Sequence, residues 1–314
     1  MQRFNKVLFV ADGADGEKAA LRRAFVLAAD YGFTLTVMDV VEQYSTGSDD
    51  RLVMEAVNSL QAVRTGERKK QLEKLVNGVR GKDRKVKCDI RVVPGRMAIE
   101  VIHAVLRDGF DLVVKAPKGN MGLVRQLFGS QDLQLMRQCP CPVWLAKPGR
   151  QRTYSRILAA VDPSADSKEA ASLDRYILGL AAELAEVEQA ELHVVHVQRV
   201  ATGADMHPGL GGMTAKELAS IATEVERDHR ARLDRLLEHQ GAAVTRVHFR
   251  KGEPADVIRS VASRIKADLL VMGTVARSGV AGLLIGNTAE RVLNSVRCSV
   301  LTVKPEGFKT PVHP

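Results

Sequence analysis

Aromatic residues make up only 4% of this 314-residue chain, with a single tryptophan. Base stacking against a nucleic-acid strand therefore has little to work with. No apolar run approaches the ~20 residues a membrane helix needs, so the chain predicts no bilayer span. The opening residues, MQRFNKVLFVADG, lack the apolar stretch and small-residue cleavage site of a signal peptide, and Asp12 interrupts them early. The expected location is the cytoplasm. Four cysteines, Cys88, Cys139, Cys141 and Cys298, are too few and too irregular for a disulfide framework. Cys141 and Cys298 stand at the start of predicted strands and are expected to be buried small hydrophobes. The Walker phosphate loop is absent, as is a Gly-x-Gly-x-x-Gly after a first strand, which excludes the common NTPase and dinucleotide dehydrogenase signatures. A Gly-x-Ser-x-Gly elbow is missing too, and no Ser–His–Asp order suggests a hydrolase triad.

The net charge of +9 is unevenly spread. Residues 1–150 carry 25 Lys and Arg against 17 Asp and Glu, whereas residues 151–314 carry 21 against 20. The excess lies between Arg64 and Lys87, a segment without aromatic residues. It is expected to be a solvated helix face and loop. Nucleic acid is not an expected partner.

What the chain does have is an internal repeat. Asp111–Pro148 and Asp268–Pro305 align without a gap at an offset of 157 residues and agree at ten positions. Among these are Gly122 and Gly279, Gly129 and Gly286, and the pairs Lys147-Pro148 and Lys304-Pro305. Each copy reads as a short apolar strand, a glycine-bearing loop, a helix and a second apolar strand. A strand, glycine loop and helix is a common cradle for phosphate, because backbone N–H groups and a helix start point at the anion.

Apolar and β-branched runs alternate with amphipathic segments through both halves. The first half predicts strands at Lys6–Asp12, Thr34–Val41, Lys87–Val93, Asp111–Lys115 and Val143–Lys147. Its helices are Glu17–Tyr31, Arg51–Val79 with a break near Gly66, Met97–Leu106 and a helix around Asp132–Arg137. The second half repeats the series. The fold class is α/β: a tandem duplication of two doubly wound, parallel, five-stranded sheet domains of Rossmann-like type. The domains span 1–148 and 153–306, joined by a short linker rich in breakers. A Gly- and Pro-rich stretch, 201–212, is expected to form a loop or lid.

This order and spacing resembles the universal stress protein family, in its tandem two-domain form, over essentially the whole chain twice. The family's nucleotide-binding members carry Gly-x-x-Gly, nine residues, then Gly-Ser or Gly-Thr after the fourth strand. The second half offers Gly273-Thr274-Val275-Ala276, nine residues, then Gly286-Asn287-Thr288. Asp162 ends the first strand of that half, Leu192–Val197 forms the second, and Gly252-x-Pro254-Ala255 precedes the third helix. The resemblance implies an adenine nucleotide, ATP with its Mg²⁺, held mainly in the second half. Asp162 would lie at the adenosine end and the Val197 backbone at the adenine edge. Gly273, Ala276 and Gly286 would bring backbone to the phosphates, Asn287 and Thr288 would donate from a helix start, and Arg277 would add a cation. Gly286 is expected at a positive φ or a close approach, and Asn287 as the helix N-cap.

The first half departs further. Ala116-Pro117 stands where Gly273-Thr274 stands, and Pro117 offers no N–H. A weaker second site there would use Asp12, Val40, Gly119, Gly129 and Ser130. No catalytic group or resident metal site is expected. Cys139-Pro140-Cys141 lacks zinc-knuckle spacing, and His193 and His196, three apart on a strand, face opposite sides of the sheet. His229 and His239 are expected on an exposed helix. The expected function is binding of a small ligand, with slow ATP hydrolysis or a phosphorylated or apolar metabolite as alternatives. Strands Val143–Lys147 and Ser299–Val303 are expected to join the halves as an internal pseudo-dimer, with a homodimer a further possibility.

Overall fold

A computed structural model describes residues 4–44, 50–80, 86–118, 128–148, 153–164, 167–199, 214–240, 244–274 and 286–313. Ten strands and eight helices are assigned among them. The first half contains β1 (Lys6–Ala11), α1 (Glu17–Tyr31), β2 (Thr34–Val41), α2 (Arg51–Arg80), β3 (Cys88–Pro94), α3 (Met97–Asp108), β4 (Leu112–Lys115), α4 (Ser130–Gln138) and β5 (Val143–Leu145). The second contains β6 (Arg156–Ala160), α5 (Lys168–Glu188), β7 (Glu191–Gln198), α6 (Ala215–Gln240), β8 (Arg246–Lys251), α7 (Pro254–Arg264), β9 (Leu269–Gly273), α8 (Asn287–Leu293) and β10 (Ser299–Val303).

Helices form where apolar residues recur at helical spacing. In α1 the buried set is Ala20, Leu21, Ala24, Phe25, Leu27 and Ala28, and Gly32 ends the helix at φ 76°, donating its N–H to the Ala28 carbonyl. One expectation fails here: α2 runs unbroken through Gly66. A lone helical glycine costs only about 1 kcal/mol relative to alanine, which a 30-residue helix absorbs. Its buried residues are Leu72, Val76 and Val79.

The strands form one sheet in the order β3-β2-β1-β4-β5-β10-β9-β6-β7-β8. Within each half every pairing is parallel, and the two halves meet antiparallel at β5 and β10. There Val300 pairs with Leu145, Leu301 with Trp144 and Thr302 with Val143, so the expected last strands do join the halves. Because side chains alternate across a strand, one core lies on each sheet face, and both run through the junction. Phe9, Trp144, Leu301 and Val194 share the first core. Leu8, Leu145, Val300 and Val195 share the second. Polar contacts seal the seam: Arg23 pairs with Glu188, and the Tyr154 N–H donates to Glu188 at 2.8 Å. Arg23 also stacks over the Tyr154 ring, 3.3 Å from its centre.

Candidate functional site

In each half the first strand sits centrally, with the second strand on one side and the fourth on the other: β1 lies between β2 and β4, and β6 between β7 and β9. A crevice opens beyond the carboxyl ends of the strands at such a reversal of strand order, and ligands of doubly wound sheets bind there. The described candidate residues fall at these two places. Asp162 follows β6, Val197 lies near the end of β7, Gly273 ends β9, and Gly286, Asn287 and Thr288 open α8. Ala276, Arg277, Gly119 and the 201–212 stretch lie outside the described residues, as does the side chain of His239.

In the second half, Asp162 Oδ1 accepts from the Ser164 N–H and hydroxyl at 3.3 and 2.5 Å, and its side chain is 45% exposed. The Asp162 N–H donates to Asp174 Oδ1 at 2.9 Å. Burial pushes the Asp174 carboxyl up to about 7, with Arg175 opposing. Behind the Val197 strand, His196 pairs with His229 at 3.0 Å and with the Val161 carbonyl at 3.3 Å. His229 is thus half-buried and engaged, not on the exposed face expected for it.

Two features expected of the loop residues differ in the structure. Gly286 is the N-cap of α8 at φ −60°, an ordinary extended backbone rather than a positive φ. Its N–H donates to the Thr274 carbonyl at 3.1 Å. Asn287 is the first helical residue, one place past the N-cap. Gly273 is small for a packing reason: a Cβ there would meet Leu173 Cδ2 of α5 at 2.8 Å.

The first half gathers its described candidates into a cleft of about 570 Å³, lined by Asp12, Val40, Gly129 and Ser130 together with Asp39 and Arg68. Its interior is wired by a group the sequence reading missed. The fully buried Lys115 ammonium lies 2.9 Å from Asp12 Oδ2 and 2.8 Å from Asp132 Oδ1, and donates to the Ala116 carbonyl at 2.9 Å. Asp132 Oδ2 accepts from the Lys118 N–H at 2.9 Å and the Gly129 N–H at 3.3 Å. An internal carboxylate therefore occupies the backbone cradle where a phosphate would sit. At the repeat offset, Met272 replaces Lys115 and Ala289 replaces Asp132, so the second half carries neither charge. The signal was present: Leu112-Val113-Val114-Lys115 is an apolar strand ending in a charge.

Glu17 Oε2 accepts the N–H groups of Asp12 and Gly13, both at 2.7 Å, the counterpart of Asp174 in the second half. Arg68, read as part of a solvated basic face, pairs with the buried Asp39. Burial raises the Asp39 carboxyl and Arg68 holds it back. Cys139 is fully buried, while Cys141 and Cys298, both expected to be buried, are half-buried at the strand starts. No helix among the described residues is long and apolar enough to cross a membrane.

Comparison with known proteins agrees with this architecture. The model of the universal stress protein family matches residues 3–147 and again 153–304. Universal stress protein E of Escherichia coli is 29% identical over 326 aligned positions, covering 100% of this chain and 98% of that protein. A universal stress protein of Methanocaldococcus jannaschii is 31% identical across 49% of this chain and 84% of its own length. Among solved structures, a Pseudomonas aeruginosa protein of unknown function superposes with a TM-score of 0.72 at 24% identity, covering 98% of this chain and 95% of its own. A universal stress protein from Archaeoglobus fulgidus gives 0.60 at 17% identity, with 96% of each chain covered. With two successive matches spanning nearly all its residues, the chain belongs to the universal stress protein family.

Proposed function

We propose that this universal stress protein binds an adenine nucleotide in the second half, not the first, and acts through the bound state rather than through turnover. The Asp132 carboxylate carries the asymmetry: it fills the Lys118 and Gly129 amide cradle in the first half, whereas Ala289 leaves that place without a carboxylate in the second. A phosphate entering the first half would meet a fixed negative charge within a buried pair, and like charges at such a distance repel strongly. In the second half Asp162 takes the adenosine end and the Val197 backbone the adenine edge. The Asn287 and Thr288 amides face the phosphates, with Ala276 and Arg277 completing the loop and Mg²⁺ accompanying the nucleotide. The first-half cleft, with Asp12 and Val40, is left to a ligand without phosphate.

Calorimetry with ATP tests this directly. One equivalent should bind per chain, and Ala289→Asp, which copies the first-half carboxylate, should weaken binding at least tenfold. Two equivalents per chain, or unchanged affinity in a folded Ala289→Asp variant, would refute it.

A further inference from the structure

Cys139 and Cys141 flank Pro140 between α4 and β5, with their sulfurs 3.6 Å apart in hydrogen-bond contact. Cys139 is wholly enclosed, while Cys141 is half-buried. Cys88 and Cys298 have their thiols pushed up to about 11 by burial, which leaves little thiolate at neutral pH. Cys139 is different. The hydrogen bond from Cys141 holds the Cys139 thiol below the ordinary value against burial, with the nearby Lys304 adding to the effect, while the same contact and burial hold the Cys141 thiol well above it. The buried Lys304 ammonium donates to the Met136 carbonyl in the last turn of α4 and to Thr274 Oγ1. Thr274 in turn donates to Met136 and accepts the Gly286 N–H through its carbonyl. The cysteine pair therefore follows the helix end that Lys304 and Thr274 bind, outside the residues assigned to ligand binding.

We infer that Cys139 and Cys141 form a reversible redox pair, closed to an intrachain disulfide by exchange with a small-molecule disulfide. One thiol proton is lost to solvent and the charge rests on Cys139, which takes the remaining proton as Cys141 attacks and passes it to the first departing small thiolate. The Cys141 thiolate attacks one sulfur of the incoming disulfide and releases the first small thiolate. The Cys139 thiolate then attacks the Cys141 sulfur of the mixed disulfide and releases the second. Two electrons pass from the protein dithiol to the small disulfide, which leaves as two thiols, one protein proton passing directly and the other by way of solvent. Closure needs a sulfur–sulfur approach from 3.6 Å to a bond of about 2.0 Å, a movement within reach of side-chain rotation beside the end of α4. Excess thiol reverses the sequence.

The test uses the reduced full-length chain exposed to oxidised glutathione, then alkylated, weighed intact and mapped by peptide. The expected product has lost two hydrogens and two alkylatable thiols, carries a Cys139–Cys141 link, and returns to the starting mass with dithiothreitol. Cys139→Ala should stop at a glutathione adduct on Cys141, and Cys141→Ser should leave Cys139 unreacted. Because the map of the unaltered chain needs no variant to fold, it stands alone. A persistent glutathione adduct without ring closure, a link involving Cys88 or Cys298, or an unreacted chain would each overturn the inference.

Discussion

Lys304 and Lys147, the paired lysines of the repeat, each cross the β5–β10 junction to a carbonyl of the opposite half. Lys304 Nζ donates to Met136 at the end of α4. Lys147 Nζ donates to Val296, just beyond α8, at 2.8 Å. A cation at a helix C-terminus satisfies orphan carbonyls and complements the helix dipole. The identity of the two Lys-Pro endings thus has a structural cause in the seam.

Both lysines hold their protons weakly. Burial lowers Lys304 to about 7 and Lys147 to about 8, from an ordinary 10.5. Above pH 7 the unfolded chain binds more protons at these positions than the folded one, so their contribution to stability rises as pH increases from 7 towards 10.5. Lys304→Met should change stability at pH 7 by no more than about 1 kcal/mol, since a buried ion can be replaced by a well-packed apolar group at little loss. Thr274 Oγ1 remains to satisfy Met136, at 3.1 Å. The variant should also lose the larger part of the rise between pH 7 and 9. Urea unfolding at both pH values decides this, and a variant that kept the full rise would contradict it.

Lys115 presents the opposite case. It is fully buried between two carboxylates, so Lys115→Met strands Asp12 and Asp132 and should destabilise the chain by about 3–5 kcal/mol. Adding Asp132→Ala recreates the Met and Ala found at 272 and 289, and should recover a large part of that loss. Non-additive stabilities in this double-mutant cycle are the expected result. Strict additivity would mean that the three charges do not act as a unit.

Acid should weaken the second half through its histidines. His196 and His248 are both lowered to about 4, chiefly by burial. His248 also accepts or donates across 3.0 Å to His193. The unfolded histidines protonate first, so stability is lost as pH falls from about 6.5 towards 4. Asp174 works against this: its folded value near 7 lies above the ordinary 3.8, so it is penalised as pH rises through that interval. Asp174→Asn keeps an oxygen for the Asp162 N–H and removes the charge. It should stabilise the chain on the order of 2–4 kcal/mol at pH 8, from ~1.4 kcal/mol per pKa unit, and little at pH 4. Thermal unfolding across this range reads both effects, and an Asp174→Asn variant weaker than the parent at pH 8 would count against them.

Turnover should be slow. Backbone donors at the start of α8 would hold ground state and transition state alike, and uniform binding does not accelerate chemistry. Asp162, the carboxylate assigned to this cleft, belongs to the adenosine end and is already engaged by Ser164. Steady-state assays should find hydrolysis well below the ~10 s⁻¹ typical of enzymes. A rate at that level, lost in Ala289→Asp, would replace the binding role with catalysis.

The repeat and the alternation of strands and helices were legible in the sequence, because each rests on local periodicity or on comparing the chain with itself, whereas the pairing of the last strands followed from the family resemblance. The interior of the first cleft was not. Lys115 finds Asp12 just past β1 and Asp132 on α4, residues far from it in the chain, and only the crossovers bring them together. Gly286 misled for a related reason: it reads as a positive-φ glycine, yet as the N-cap of α8 it takes an ordinary φ of −60°. His196 and His229 likewise belong to different elements, and their pairing depends on how α6 lies over β7.

The antiparallel seam has a directional result. All strands of the first half run with β5 and all those of the second with β10, so the carboxyl ends of the two sets emerge from opposite margins of the sheet. The two clefts consequently face away from each other. A small ligand in one cleft therefore does not reach the other. Duplication here has made a two-headed object whose heads can diverge in chemistry without steric interference, as the Lys115–Asp132 pair and its Met272–Ala289 counterpart already have.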